Sequence, residues 1–152
     1  MIEGFATPEG TTNFAGKSLA HKENFRKIHD LTLSNVGIGT YLGNTDLETD
    51  TQQKNAIKES ILRGVNVIDT AINYRAQKSE RTVGKAVSEL IDEGKISRSE
   101  IFISTKNGYV TNDADIQEDF MAYIMREFGK TGVVKEGDIS AQYNCMTIPF
   151  LE

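Results

Sequence analysis

Cysteine and histidine are scarce in this 152-residue chain, which has one cysteine and two histidines. The single cysteine, Cys145, cannot form a disulfide within the chain, which fits a reducing compartment such as the cytoplasm. His21, His29 and Cys145 also lack the short spacings that are typical of metal ligands. The sequence therefore predicts a cytoplasmic protein that has neither an internal disulfide nor a metal site.

The chain also lacks clustered positive charge and long apolar runs. Its formal net charge is −5, and without a basic patch it has no electrostatic attraction for a polyanion, so we expect no nucleic-acid partner. No run approaches the roughly 20 apolar residues of a membrane-spanning helix. Met1–Asn13 lacks the apolar core of a signal peptide. We therefore expect a soluble protein without a membrane partner.

What the chain does contain is an alternation of short apolar strands and amphipathic helices. The predicted strands are Leu33–Thr40, Val65–Asp69 and Ile101–Thr105, and the predicted helices between them are Thr51–Arg63 and Ser79–Asp92. Strands that alternate with helices pair in parallel through right-handed crossovers. This order predicts the α/β class, and by itself it suits either a (β/α) barrel or an open doubly wound sheet.

The regions on either side of this alternation have other patterns. Residues 1–24 are mostly polar, which predicts a flexible tail, and Phe25–Leu33 is predicted to form a small hairpin. We expect a single domain over residues 25–152. Beyond the third strand, the helical spacing of apolar residues from Ile116 to Phe128 predicts one extra helix.

Three polar side chains lie at or beyond the ends of two predicted strands. Asp69 ends the second strand, Tyr74 follows it by five residues, and Lys106 follows the third strand. The carboxyl ends of parallel strands meet at one edge of a sheet, where ligands bind in both candidate folds, so these groups are expected to share a pocket. A nearby ammonium favours the phenolate, so the lysine would make the phenol a better proton donor. The alternative role of Lys106 is that of a desolvated amine that forms a Schiff base.

The glycine-rich run Gly37–Gly43 fails a comparison with the dinucleotide-binding fingerprint. It reads G-x-G-x-x-x-G, which is one residue too long, and no helix begins directly after it. No acid follows at the spacing expected for a ribose contact. The run therefore does not favour a Rossmann phosphate loop.

Four segments taken in order carry a family resemblance. They are Leu33–Tyr41, Gly64–Tyr74 with its Asp-Thr-Ala-x-x-Tyr element, Ser79–Ala86, and Arg98–Lys106 with its Ser-Thr-Lys ending. Either element alone is weak, whereas the ordered combination is specific. Over this half of its length, the chain resembles the N-terminal part of an aldo/keto reductase.

The resemblance implies a (β/α)₈ barrel enzyme, an oxidoreductase that uses NADP(H) to reduce aldehydes or ketones to alcohols. Tyr74 would be the general acid toward the oxygen of a small-molecule carbonyl substrate. Lys106 would promote release of the phenol's proton, and Asp69 would pair with Lys106. In the family these three groups act together with a histidine.

The resemblance also implies binding residues. The backbone at Gly39 and Thr40, together with Asp69, would lie near the nicotinamide ribose. Tyr41 stands where the family often has an aromatic residue that lines the substrate pocket.

The chain departs from the family pattern in its later part. No histidine follows His29, and the family's main contacts to the cofactor phosphate lie in a region without a counterpart here. A barrel of this type has about 250 residues, whereas this chain is predicted to hold three βα units, an N-terminal hairpin and an insertion over residues 107–147. Ile148–Glu152 has the pattern of a helix start.

These departures predict a barrel that is cut before its fourth strand and is inactive by itself. Unpaired edges of such a sheet would favour self-association. The alternatives to a reductase are a Schiff-base lyase that uses Lys106, and a non-catalytic nucleotide-binding or regulatory module.

Overall fold

The computed structural model describes residues 2–152. The helices are α1 (Pro8–Lys17), α2 (Leu47–Leu62), α3 (Lys78–Asp92), α4 (Phe120–Ile124) and α5 (Ile148–Leu151). The strands are β1 (Phe25–Ile28), β2 (Leu31–Ser34), β3 (Ile38–Gly39), β4 (Val67–Asp69) and β5 (Phe102–Ser104). No helix within residues 2–152 is both long enough and apolar enough to cross a membrane.

A parallel sheet of three strands forms the centre of the fold. Its order is β3–β4–β5, and the paired residues at its carboxyl end are Gly39 with Asp69 and Asp69 with Ser104. Helices α2 and α3 are the two crossovers, and they share one apolar cluster with the sheet, in which Ile57, Ile68 and Leu90 are fully buried. Burial of an aliphatic side chain contributes roughly 1.5–3 kcal/mol. The predicted α/β class with parallel strands is confirmed.

Helix α2 begins at Leu47 rather than at Thr51, where the apolar pattern begins. The reason is a cap, because the Asp46 side chain accepts a hydrogen bond from the Thr49 backbone N–H at 2.7 Å. Such a cap satisfies an amide that has no partner in the first turn, so the helix extends beyond its apolar stripe. The helix ends before Gly64, whose φ of +100° suits glycine.

The predicted strand Leu33–Thr40 is wrong as a single element. Leu33 belongs to β2, which pairs with β1 in the antiparallel hairpin that was predicted at this point. Only β3 enters the parallel sheet. Gly37 lies between them against Val67, where an added Cβ would be 3.0 Å from Cγ1 of that valine. A residue without a side chain therefore allows the chain to turn from one sheet into the other.

The prediction of a flexible tail over residues 1–24 is wrong, because helix α1 lies within this segment. Thr7 caps it by accepting a hydrogen bond from the Gly10 N–H at 3.0 Å, and a proline occupies its first turn. Phe14 is buried in the main cluster. Two glycines and two threonines in the helix have low helix propensity, so tertiary packing rather than local preference accounts for it.

Buried polar groups tie α1 and the hairpin to the amino end of the parallel sheet. Glu100 is 1% exposed and accepts hydrogen bonds from Asn13 at 2.7 Å and from Lys17 at 2.8 Å. Asn66 is fully buried, and its amide bonds to Thr32 O at 3.0 Å. The N-terminal segment therefore closes the end of the sheet opposite to the predicted site.

Residues 107–152 form a second apolar cluster after β5. Its buried members are Val110, Tyr123, Ile124, Val134 and Cys145. The predicted extra helix is present, although it begins at the capping residue Asp119 rather than at Ile116, and it continues beyond α4 as a π-helical turn. The predicted helix start near the end of the chain is present as α5.

Candidate active site

The parallel register brings the ends of the three central strands together. Asp69 is the last residue of β4, and its partner Ser104 is the last residue of β5, so Lys106 follows two residues beyond the same edge. The amide of Ile72 extends the pairing by donating to Lys106 O at 3.3 Å. The two loops therefore leave the sheet side by side, and their polar side chains face a common space.

Asp69 and Lys106 form an ion pair at this edge. Lys106 Nζ lies 2.6 Å from Asp69 Oδ2 and also bonds to Asp69 Oδ1. A third bond, to Thr70 O at 2.9 Å, fixes the direction of the ammonium. The hydrogen bonds that Lys106 donates to Asp69 raise the pKa of Lys106 above its ordinary value, and burial opposes this only in part. The lysine is therefore a cation at neutral pH.

Tyr74 lies directly beside this ammonium. Lys106 Nζ is 4.9 Å from the centroid of the Tyr74 ring, within the range of a cation–π contact. Tyr41 packs edge-on against the same ring, with centroids 5.0 Å apart and an angle of 72° between the planes. Asp69, Tyr74, Lys106 and Tyr41 are thus in one cluster, although Tyr41 itself is 65% exposed.

The predicted cofactor contacts differ in how open they are. Thr40 is fully buried, and its hydroxyl donates to Asp69 O at 3.1 Å while its carbonyl accepts from Ser79 at 2.7 Å. Its side chain therefore stabilises the pairing of β3 with β4 and is not accessible to a ligand. Gly39 is exposed, and a Cβ added to it would meet no atom within 4 Å. The Asp69 side chain is 41% exposed, so Gly39 and Asp69 are the accessible members of this set.

Arg75, the residue next to Tyr74, is a further charged group at this site and is not among the predicted site residues. Its guanidinium is 1% exposed and bonds to Asp50 Oδ1 at 2.6 Å, to Gln53 Oε1 at 3.0 Å and to the Asn44 carbonyl at 2.7 Å. A charged residue adjacent to a candidate catalytic phenol was the available signal. Nothing in the local sequence indicates that its partners lie on α2 and in the loop before it.

A cavity of about 470 Å³ opens beside Tyr41. One wall comes from the loops after β3 and β4, and the other comes from the segment beyond β5, which the sequence predicts to be an insertion. The lining residues include Tyr41, Asn73, Arg75, Tyr109, Asn112 and Phe120. Residues 107–152 therefore line a cavity together with Tyr41, whereas Asp69, Tyr74 and Lys106 are not among its lining residues.

No metal centre is evident in the described part of the chain. Within residues 2–152, no three or more His, Cys, Asp or Glu side chains are grouped so that they could hold an ion. The charged groups near Tyr74 are instead paired with one another.

The chain is similar in sequence to known oxidoreductases. Residues 35–138 match the aldo/keto reductase family. The uncharacterized oxidoreductase YtbE of Bacillus subtilis (strain 168) is 38% identical over 65 residues, which are 43% of this chain and 22% of that protein. An aldose reductase of Encephalitozoon cuniculi (strain GB-M1) is 32% identical over 71 residues, which are 47% of this chain and 21% of that protein.

Among solved structures, the chain is similar to the holo form of the aldo-keto reductase AKR11C1 from Bacillus halodurans. The identity is 27% and the TM-score is 0.47, over 71% of this chain and 35% of that one. The chain spans about a fifth of the length of the curated relatives that it matches. The family match nevertheless covers well over half of the chain and includes Asp69, Tyr74 and Lys106. The chain therefore belongs to the aldo/keto reductase family.

Proposed function

We propose that this chain carries three catalytic groups of an oxidoreductase that reduces a carbonyl compound to an alcohol with NADP(H). Tyr74 is the general acid that protonates the carbonyl oxygen. Lys106 stabilises the phenolate that remains, and Asp69 holds Lys106 in place. Tyr41 lines the pocket for a small-molecule aldehyde or ketone.

The observation that carries the proposal is the position of one ammonium between an acid and a phenol. Lys106 Nζ is 2.6 Å from Asp69 Oδ2 and 4.9 Å from the centroid of the Tyr74 ring. A cation beside a phenol stabilises the phenolate by Coulomb attraction. The carboxylate keeps the amine protonated, so the cation is present whenever the phenol releases its proton.

The protein groups supply the proton that the reduction requires. As the carbonyl carbon accepts a hydride, the oxygen gains electron density and takes the proton from the Tyr74 hydroxyl. The C=O double bond becomes a C–O single bond, the product is an alcohol, and the tyrosine is left as a phenolate beside Lys106. A water molecule from solvent returns the proton before the next cycle.

The open residues at the strand edge are suited to a nicotinamide cofactor, which supplies the hydride when it is bound. The Gly39 backbone is exposed and leaves room for a flat ring or a ribose. The Asp69 carboxylate, whose side chain is 41% exposed, retains lone pairs that can accept from a ribose hydroxyl. The Thr40 backbone, next to Gly39, would lie near the same ribose.

The pKa of Lys106 argues against the Schiff-base alternative. A lysine that attacks a carbonyl must be a neutral amine, which requires a lowered pKa. Here the hydrogen bonds that Lys106 donates to Asp69 raise the pKa of Lys106. The lysine is therefore suited to act as a cation and not as a nucleophile.

We propose further that residues 25–152 are part of a larger (β/α) barrel and that the chain does not turn over by itself. Three parallel strands are present in the described residues, and no histidine follows His29 to act beside Tyr74. The strands at both edges of the sheet would pair with further strands in a closed barrel.

Titration of the purified 152-residue chain with NADPH, followed by addition of a panel of aldehydes and ketones, tests the proposal directly. We expect no oxidation of NADPH by the chain alone. Turnover by the chain alone would contradict the proposed dependence on a larger barrel.

A chimera tests the catalytic groups. In the Encephalitozoon cuniculi aldose reductase, the segment equivalent to Gly39–Lys106 is replaced by these residues of this chain. We expect the chimera to bind NADPH and to reduce carbonyls. A folded chimera that binds NADPH without turnover would favour the non-catalytic nucleotide-binding alternative instead.

A further inference from the structure

The backbone turns left-handed immediately after Tyr74. Arg75, Ala76 and Gln77 have φ values of 52°, 49° and 73°, and none of them is glycine. Each residue in this region costs on the order of 1–2 kcal/mol, because Cβ crowds the carbonyl oxygen. Three in succession require a surrounding structure that holds them, and such backbone is concentrated at functional sites.

Arg75 supplies the attachment on one side of this left-handed turn. Its guanidinium reaches across to α2 and the loop before it, where a carboxylate, an amide oxygen and a carbonyl surround it. The three donor nitrogens each have a different acceptor, so the fork fixes both the position and the direction of the side chain. Because the guanidinium is 1% exposed, water does not compete for these bonds.

The segment beyond β5 supplies the attachment on the other side. The Ala76 carbonyl accepts from the Ala114 N–H at 3.1 Å. The Gln77 side-chain amide donates to Asn112 O at 3.1 Å and to the Tyr123 hydroxyl at 3.2 Å. Every residue of the turn is therefore bonded to an element outside it.

We propose that Arg75 is a positioning residue, which holds the left-handed turn in place and thereby keeps the Tyr74 ring beside the Lys106 ammonium. The proposal rests on the proposed function, because that gives the position of Tyr74 its catalytic meaning. Arg75 itself need not contact the substrate for this role.

A second ion pair separates this role from general support of the fold. Lys78, at the start of α3, bonds to Asp50 Oδ2 at 2.8 Å. This bond connects α3 to α2 independently of Arg75. Loss of the guanidinium should therefore leave the two helices joined while it releases the turn and the tyrosine.

The experiment uses nuclear magnetic resonance of the 152-residue chain, with the ε-methylene signal of Lys106 as the readout. An aromatic ring displaces the resonances of groups that lie beside it, so this signal reports the ring of Tyr74 without any need for enzymatic activity. The Tyr74→Leu variant defines the signal without that ring. Arg63→Met is the matched control, because the Arg63 side chain is 80% exposed.

We expect Arg75→Met to retain a cooperative thermal transition while its Lys106 signal moves most of the way to the Tyr74→Leu position. Arg63→Met should leave the signal where it is in the original chain. A folded Arg75→Met variant with an unchanged signal would overturn the proposal. Failure of the chimera to reduce carbonyls would instead count against the proposed function and leave this readout intact.

The substitution Ala76→Gly provides a rescue. Glycine adopts positive φ without the clash at Cβ, so Ala76→Gly should let the turn form with less support. We expect the Arg75→Met, Ala76→Gly double variant to recover a large part of the original Lys106 signal. No recovery would contradict a role that acts through the strained turn.

A milder variant covers the case in which Arg75→Met does not fold. Arg75→Lys keeps the charge and one bond to Asp50, but it loses the fork that reaches three acceptors. Its Lys106 signal should lie between the original and Tyr74→Leu positions. A signal at the original position in Arg75→Lys would overturn the proposal.

Discussion

Lys106 Nζ lies 2.6 Å from Asp69 Oδ2, so the acid that ends β4 and the amine that follows β5 form one ion pair across adjacent parallel strands. The two residues are far apart in the sequence, and the register of the sheet brings them together. Tyr74 lies against the same ammonium. The three proposed catalytic groups therefore all lie at the carboxyl edge of the parallel sheet.

Removal of the Tyr74 hydroxyl should abolish reduction without affecting the cofactor. In the chimera, Tyr74→Phe is expected to lower turnover by about 10²–10⁴-fold, the usual contribution of a general acid. NADPH affinity, measured by fluorescence titration, should stay within a factor of about two, because the ring remains. Glu59→Gln, at an exposed ion pair within the transplanted segment, is the control and should keep full turnover. Preserved turnover in Tyr74→Phe would refute the role assigned to this residue.

Asp113 should make the stability of the chain sensitive to acid. Arg81 donates two hydrogen bonds to its carboxylate, at 2.7 and 2.5 Å, and these hold the pKa of Asp113 below its ordinary value against the effect of burial. A carboxylate with a lowered pKa in the folded state stabilises the fold above its unfolded pKa. That contribution is lost as the pH falls through the folded value.

Asp113→Asn should therefore lower the free energy of unfolding at neutral pH by about 1–2 kcal/mol, since Arg81 is partly exposed. The difference from the original chain should shrink as the pH falls from about 5 toward about 2. Thermal melts over this pH range measure it. Glu59→Gln, at an exposed ion pair, should change the free energy by less than about 0.5 kcal/mol. A constant difference at all pH values would contradict the assignment to the Asp113 carboxylate.

Two glycines of α1 test whether this helix packs as described. A Cβ at Gly10 would lie 2.3 Å from Ser99 O, whereas a Cβ at Gly16 would meet nothing within 4 Å. Gly10→Ala should therefore destabilise the chain by about 1–3 kcal/mol through overpacking. Gly16→Ala should stabilise it by about 0.5–1 kcal/mol, because alanine favours the helix. Equal effects of both substitutions in chemical denaturation would show that α1 does not pack against Ser99.

The open edge of β5 should promote self-association. β5 is the last strand of the parallel sheet, and in a parallel ladder every second residue directs its amide groups away from its partner. We expect the 152-residue chain to show a mass that rises with concentration in sedimentation experiments. Thr105→Lys, next to this edge, should reduce that rise, because an edge lysine opposes pairing.

The control for the edge is Gln52→Lys, which adds the same charge on the exposed side of α2. It should leave the association unchanged. A monomeric original chain at all concentrations, or equal effects of the two lysines, would contradict edge pairing.

The elements with strong local signals could be predicted from the sequence. The apolar run that ends in Asp69 and the amphipathic stripe of α3 are complete within short windows, and their order alone indicates parallel strands. Once the strands are parallel and adjacent, the meeting of Asp69, Tyr74 and Lys106 follows. The members of this cluster could therefore be predicted from the sequence, because the strands and helices follow from local patterns and their parallel pairing follows from a general rule of chain connection.

Tertiary structure alone decided the features whose partners are distant. Helix α1 has poor local propensity, and it exists because Phe14 is buried and Glu100 binds its polar side chains. The left-handed turn at Arg75 is unfavourable for each of its residues, and bonds to α2, to the loop before it and to the segment beyond β5 help to hold it. Local preferences amount to about 1 kcal/mol per residue, and burial or a buried ion pair can exceed them. The sequence determined which chemical groups meet, and packing between remote segments determined how firmly they are held.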